Sequence, residues 1–343
     1  MVKYMAKVSL QKRERVALYD NIKFIMITLM VVGHFADVFT ENSGVCQSIY
    51  LFIYAFHMPM MIFVSGLFYT NRQNIPKIMF YICSGFALKV SLSIVDLICS
   101  RSSTSFSLLT DAGMPWFMFV LASYQILMYI FKNINKVFLL IFCIILACFV
   151  GYDTTVGDYL YLSRMIVFFP FYLLGTMLSP KKIVSFLNKY SKRFIGIAIV
   201  IITVWFFLCF YKRDEFYIYR HLFTGRNSFS SEILKYGPLA RLLCYCITFL
   251  TGASLLILTS KVRISFISSL GLHTLNVYYW HWIIYCLADK FFNISNIFSL
   301  GKTGRVIFLL IAILLSVILS SVRVFDYPLN LIRQQCFKAN DNT

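Results

Sequence analysis

Apolar residues along this chain come in long runs of about 17–25 residues, each able to cross roughly 30 Å of hydrocarbon. Ten such runs can be placed, at 22–40, 47–69, 77–99, 114–131, 137–152, 163–179, 194–211, 238–259, 268–289 and 305–325. The pattern predicts an all-α polytopic membrane protein of about ten transmembrane helices. No internal repeat and no Pro/Gly/Ser-rich linker divides it. A single transmembrane domain over 22–325 therefore lies between a basic N-terminal segment, 1–21, and a tail, 326–343.

Composition agrees with this pattern. The 343 residues are 59% hydrophobic and 13% charged, about half the charge of an ordinary soluble domain. The net charge of +18 would fit a nucleic-acid partner if it formed one surface, but it follows the loops instead. Lys3, Lys7, Lys12, Arg13, Arg15 and Lys23 open one side. Arg72, Lys77, Lys132, Lys136, Lys181, Lys182, Lys189, Lys192, Arg193, Lys261, Arg263, Arg323, Arg333 and Lys338 continue it, whereas the loops 41–46 and 153–162 of the other side hold no Lys or Arg. The positive-inside rule then places both termini in the cytoplasm. The charge records topology in a lipid bilayer, and nucleic acid is not an expected partner. The N-terminal basic stretch leads into about 19 apolar residues without a small-residue cleavage site, so it reads as a retained first span.

Two polar segments stand out. In 180–193, Ile183, Phe186, Leu187 and Tyr190 recur at helical spacing among lysines, which predicts a short helix lying in the inner interface. In 212–237, Lys212, Arg213, Asp214, Glu215, Phe216, Tyr217, Tyr219, Arg220, His221, Phe223 and Arg226 crowd together. This outer loop either forms an interfacial aromatic belt or offers ring faces and guanidinium forks to a sugar or an anionic carrier. The ten cysteines show no Cys-x-x-Cys pair and no His at zinc spacing, so they read as small hydrophobes. Cys46 and Cys99, both near the outer face, are the one pair placed for a disulfide.

Candidate chemistry begins in the first span. Lys23 and His34 are eleven residues apart, three turns plus about 20°, so with Asp20 and Asp37 they share one stripe. Ionisable groups inside a span are costly and mark function by default. Lys23 can snorkel to the cytoplasmic headgroups. His34 lies about 16 Å further in, beyond such an escape. Its imidazole suits a general base, with Asp37 one turn on to orient it; a neutral histidine bonded to a neighbouring helix is the structural alternative.

In the second span Pro59 leaves the carbonyl of Ala55 without its helical donor. His57 beside it either satisfies that carbonyl or joins His34 around an acceptor hydroxyl. Lys89, Ser93 and Asp96 share a face of the third span, as a polar network or a substrate path. His281 and Tyr278 share one in the ninth, among aromatic residues that suit either packing or a lined cavity. No phosphate-binding loop, nucleophile elbow or metal-ligand spacing is present, and nothing in the sequence marks an oligomeric state.

Asp20-Asn21-Ile22-Lys23 through Val32-Gly33-His34, and Phe56-His57-Met58-Pro59 through Ser65-Gly66, resemble the integral-membrane acyltransferase-3 family, in particular its fucose 4-O-acetylase-like branch of polysaccharide O-acetyltransferases. Pro115-Trp116-Phe117, Phe169-Pro170-Phe171-Tyr172-Leu173-Leu174-Gly175 and Leu270-Gly271 through Tyr278 and His281 extend the resemblance over most of the chain. The family's basic-residue–x10–His signature is met with Lys23 in place of the commoner Arg. Its Arg-x-x-Arg pair is not reproduced, and only Arg72 and Lys77 stand in that loop.

The resemblance implies about ten helices, no bound cofactor, and a cytoplasmic acyl-CoA donor, acetyl-CoA above all. It implies a hydroxyl acceptor on a cell-surface glycan or lipid-linked sugar precursor. His34 would be catalytic with Asp37. Lys23, Asp20, Arg72 and Lys77 would bind the donor or orient the helix, and His57, Lys89, Trp116 and His281 would line the acceptor cavity. A polysaccharide transporter or flippase, or a glycan polymerase, would also need buried charges and a basic cytoplasmic face. The absence of a two-fold repeat of broken helices argues against the transporter.

Overall fold

The computed structural model describes residues 17–70, 74–99, 108–110, 113–226, 228–262 and 265–338. The chain forms α1 (Ala17–Asp37), α2 (Gly44–Tyr54), α3 (His57–Leu67), α4 (Ile75–Ile98), α5 (Trp116–Ile130), α6 (Lys136–Phe149), α7 (Leu162–Met177) and α8 (Pro180–Tyr211). It continues with α9 (Arg213–Tyr217), α10 (Arg220–Phe223), α11 (Gly237–Thr259), α12 (Ser265–Leu270), α13 (Thr274–Phe292), α14 (Ile294–Ser299), α15 (Gly301–Ser321) and α16 (Leu329–Lys338). Among the described residues there is no strand, and a single isolated bridge joins Thr110 to Tyr159. Every predicted span falls on a helix or helix pair. Six stretches are long and apolar enough to cross a membrane: Ala17–Asp37, Gly44–Leu67, Ile75–Ile98, Pro180–Tyr211, Leu234–Thr259 and Gly301–Ser321. Trp116–Ile130, Lys136–Tyr152 and Leu162–Met177 are apolar but shorter.

One expectation is corrected, and the cysteines stay the small hydrophobes they read as. Residues 180–193 do not form a separate helix; they are the first half of α8, which runs unbroken for 32 residues. Pro180 sits at the helix start, where its missing N–H costs nothing. Cys46 and Cys99 are both free, as are the other eight cysteines, and the Cys99 thiol donates to the carbonyl of Cys286 at 3.6 Å.

Helix α1 lies between two apolar clusters. On one side Val31 and Phe35 pack with Tyr124, Phe169, Val277 and Phe308. On the other, Ile22 and Met26 pack with Leu51, Phe56, Trp205 and Cys244. Lipid tails are as apolar as these side chains, so close fit and hydrogen bonding hold such helices together. At its N-terminal end Tyr19 donates to the carbonyl of Pro180 at 2.8 Å, and Asn21 donates to that of Val262 at 2.8 Å. These contacts tie α1 to the start of α8 and to the segment after α11.

The second predicted span is broken. Phe56, at φ −138° and ψ −24°, separates α2 from α3, and Pro59 sits in the first turn of α3, where a proline is tolerated. The carbonyl of Ala55, which Pro59 cannot serve, accepts from the Thr248 hydroxyl of α11 at 2.6 Å. His57 does not satisfy it: its Nδ1 donates to the carbonyl of Ile53 at 3.0 Å.

Helices α3 and α7 cross through two glycines. A Cβ on Gly66 would stand 2.2 Å from the carbonyl oxygen of Tyr172, and one on Gly175 would stand 2.3 Å from that of Phe63. Backbone cannot swing aside, so Gly66→Ala must push the helices apart, at about 1–3 kcal/mol. Thermal melting in detergent should show a lower midpoint for Gly66→Ala. Gly196→Ala, whose added Cβ meets nothing within 4 Å, should melt like the parent; equal midpoints for both variants would refute the close crossing.

Candidate functional site

A cavity of about 1110 Å³ opens among the loops that follow α1 and α8 and runs down between the helices. Met30 and Met58 mark its inner end, while Glu41, Asp158, Arg220 and Arg226 mark its mouth. Met30 lies seven residues before Asp37, so the cavity descends about 10 Å below the end of α1. Of the candidates from the spans, His34, Asp37, His57, Lys89, Ser93, Asp96, Trp116 and Tyr278 line it.

His34 shares a hydrogen bond with α2. The Tyr54 hydroxyl stands 3.2 Å from His34 Nδ1, and Tyr50 stacks on Tyr54 with ring centroids 3.8 Å apart. Asp37, expected to orient His34, instead takes a bond from the Thr40 hydroxyl at 3.4 Å and faces the same cavity.

The ring of His281 lies 5.4 Å from that of His34, fully buried behind the cavity wall. Its Nδ1 is 2.7 Å from the carbonyl of Val277. A carbonyl can only accept, so Nδ1 of both His281 and His57 carries the proton and each Nε2 is a bare acceptor. His34 and His281 thus lie ring to ring, His57 packs on the Tyr54 ring at 4.7 Å, and Trp282 comes within 5.8 Å of His34.

The opposite wall carries cations held by backbone and rings. The Lys89 ammonium, 4% exposed, donates to the carbonyls of Leu108 and Thr110 at 3.2 Å each and to the Tyr161 hydroxyl at 3.4 Å. It thereby ties α4 to the segment above the cavity. The Arg164 guanidinium lies 4.8 Å over the Trp116 ring, and Phe168 stacks on the same Trp116 with ring centroids 5.7 Å apart. At the mouth Arg226 pairs with Asp158 at 2.9 Å. Burial, with the Arg220 and Arg226 guanidiniums, holds the His221 imidazole below the ordinary histidine range, so it is uncharged at neutral pH.

The outer loop therefore divides its residues. Phe216 packs on Trp205, as a belt would, Tyr217, Arg220, His221 and Arg226 line the cavity, and Phe223 does both. Arg241 of α11, 1% exposed, holds this loop by donating to the carbonyl of Leu222 at 2.6 Å.

The donor-side candidates lie elsewhere. Lys23 pairs with Asp20 at 2.7 Å near the basic end of α1, three turns from His34. Lys77, at the start of α4, sits 5.8 Å over the Tyr81 ring. Arg72 lies outside the described residues.

Sequence reasoning missed Tyr50, Tyr54, Arg164 and Arg241. The first two had a readable signal, since Tyr50, Tyr54 and His57 sit at i, i+4 and i+7. Arg164 and Arg241 are guanidiniums at the starts of apolar runs, where a position in sequence cannot distinguish a snorkelling cation from a buried one.

Such an arrangement can activate a hydroxyl. It has an imidazole held at one nitrogen, apolar ring faces, and a mouth carrying both signs of charge. Lys89→Met would release the segment above the cavity. Hydrogen exchange in peptides covering Thr110 and Tyr161 should then speed up while α1 is unchanged; unaltered exchange would show that Lys89 does not brace this wall.

Residues 16–322 match the family described as Acyltransferase domain, the acyltransferase-3 family. The match spans most of the chain, which belongs to this family. No curated protein and no solved structure matches the chain.

Proposed function

From this membership, we propose that the chain, a membrane acyltransferase, is an O-acetyltransferase of the plasma membrane. It moves an acetyl group from cytoplasmic acetyl-CoA to a hydroxyl of a cell-surface polysaccharide or its lipid-linked precursor. The observation that carries the reading is His34 at depth in the cavity, with its Nδ1 engaged by Tyr54 and ring-lined walls beside it. A glycan hydroxyl reaching His34 would give up its proton to the imidazole as it attacks the acetyl carbon. The sugar rings would lie against Trp116, Tyr278 and Trp282, since pyranose faces are apolar while their edges hydrogen-bond. Asp37 acts with His34 in this reading, and His57, Lys89 and His281 shape the acceptor end.

Ten crossings with both termini in the cytoplasm fit the charge pattern of the loops. The cavity mouth, in loops of the opposite side, then faces outwards. Donor binding falls to the basic end, where Lys23, Asp20, Arg72 and Lys77 would meet the CoA phosphates or set the helix. The acetyl group would reach His34 from below and the acceptor from above.

Cells carrying His34→Ala should lose the O-acetyl signals of their surface glycan in proton NMR while the protein persists at parental levels. Full acetylation with a normal protein level would overturn the assignment. Shortened glycan chains with unchanged acetylation would favour a polymerase.

A further inference from the structure

We infer that the cavity opens sideways into the outer leaflet, over a strip formed by residues 108–110 and 157–161, and that its acceptor is a sugar still carried on a membrane lipid. This rests on the acetyltransferase reading and the topology proposed with it, and it names the form in which the acceptor arrives.

The wall on that side is low. α5 and α7 have 15 and 16 residues, about 22–24 Å of helix. Each therefore falls roughly 6–8 Å short of the ~30 Å hydrocarbon core. Their inner ends are held at the basic side, where Lys132 follows α5 and Lys136, opening α6, donates to the carbonyl of Thr176 in the last turn of α7 at 3.2 Å. The shortfall is thus at their outer ends. Lys89 gives the same depth from α4. It stands nine residues before Ile98, the last residue of that helix, which is about 14 Å down its axis. Its ammonium nevertheless reaches the carbonyls of Leu108 and Thr110. One lysine side chain and a hydrogen bond cannot cover that distance, so these residues sit below the end of α4.

The strip meets the demands of hydrocarbon. An isolated antiparallel bridge joins Thr110 to Tyr159, and the N–H of Leu160 donates to the carbonyl of Leu109 at 2.8 Å. With Lys89 on the two flanking ones, the carbonyls of Leu108, Leu109 and Thr110 all have donors, as irregular backbone at membrane depth requires. Their apolar side chains are not covered: Leu108, Leu109, Tyr159 and Leu160 are 40–55% exposed. Leu160 also has a φ of 50°, a left-handed backbone that Gly, Asn or Asp enters most readily. In water a leucine there is disfavoured by backbone and exposure alike, whereas lipid removes the second cost. On α4, the helix that Lys89 ties to the strip, Val90, Ile94 and Leu97 are exposed too, as lipid-facing residues are.

The strip also borders the cavity. Thr110 and Asp158, the chain neighbours of Leu109 and Tyr159, line it together with Gly113 and Met114. An apolar patch on a polar rim marks a place of contact. Here it fits an amphiphile whose sugar head enters the cavity towards His34 while its hydrocarbon chain stays against the strip. A polysaccharide free in water would gain nothing from four apolar side chains at the rim.

Purified full-length protein in lipid nanodiscs, given labelled acetyl-CoA, tests this with two acceptors. One is the cell's lipid-linked glycan precursor, the other the same glycan cut from its lipid by mild acid. The parent should show a KM at least about tenfold lower for the lipid-linked form, the factor that burying two methylene groups gives. A bilayer concentrates any lipid-borne acceptor, so Leu160→Asp makes the comparison decisive. Asp suits the left-handed backbone and sets a charge where the chain would lie, so it should erase most of the preference. Equal KM values in the parent, or a preference untouched in Leu160→Asp, overturn the lateral opening.

Transfer to neither acceptor would fail the acetyltransferase reading instead, and cross-linking then judges the opening alone. Benzoylphenylalanine in place of Leu160, irradiated in membranes holding the precursor, should yield an adduct with the lipid-linked glycan by mass spectrometry. Adducts with phospholipid only overturn the proposal.

Discussion

Much of the site depends on one hydrogen bond, from the Thr248 hydroxyl to the carbonyl of Ala55. A bare carbonyl at membrane depth costs several kcal/mol, and Pro59 makes one by removing the N–H that would have met it. With Thr248 in place the helix can end at Tyr54 and restart at His57. Tyr54 from one half and His57 from the other both line the cavity beside His34. The second half, α3, is clamped in turn by α7 through the paired glycines, Gly66 and Gly175.

The same accounting runs through the rest of the cavity. Lys89, Arg164 and Arg241 are all buried, and a buried cation is tolerated only with partners. Lys89 spends its ammonium on backbone carbonyls, Arg164 lies over the Trp116 ring, and Arg241 holds the end of α10. Lys89 ties α4 to the segment holding Leu108 and Thr110, Arg164 joins α7 to α5, and Arg241 joins α11 to α10. Beside these braces the cavity wall presents ring faces, hydroxyls and imidazoles.

The helices and their order were legible in the sequence because a membrane forces long apolar runs, and ten of these fell on helices. His34, Asp37, His57, Lys89 and Trp116 were legible as polar or aromatic exceptions to that rule, and they share one cavity. What binds them was not. Tyr54 looks like any interfacial tyrosine until α2 ends beside it, and Thr248 lies 193 residues from the carbonyl it serves. The helix expected over 180–193 was misread because lysines marked a boundary that the backbone of α8 ignores. Asp37 was on the right face, yet a shared stripe on one helix cannot show that a neighbouring helix supplies the nearer hydroxyl.

Consumption of acetyl-CoA by the purified protein tests the central claim most directly. With the cell's own glycan precursor present, the account predicts steady release of CoA thiol that falls to background in His34→Ala, while the variant melts at the parental temperature. Thiol release at the parental rate in that variant would contradict it.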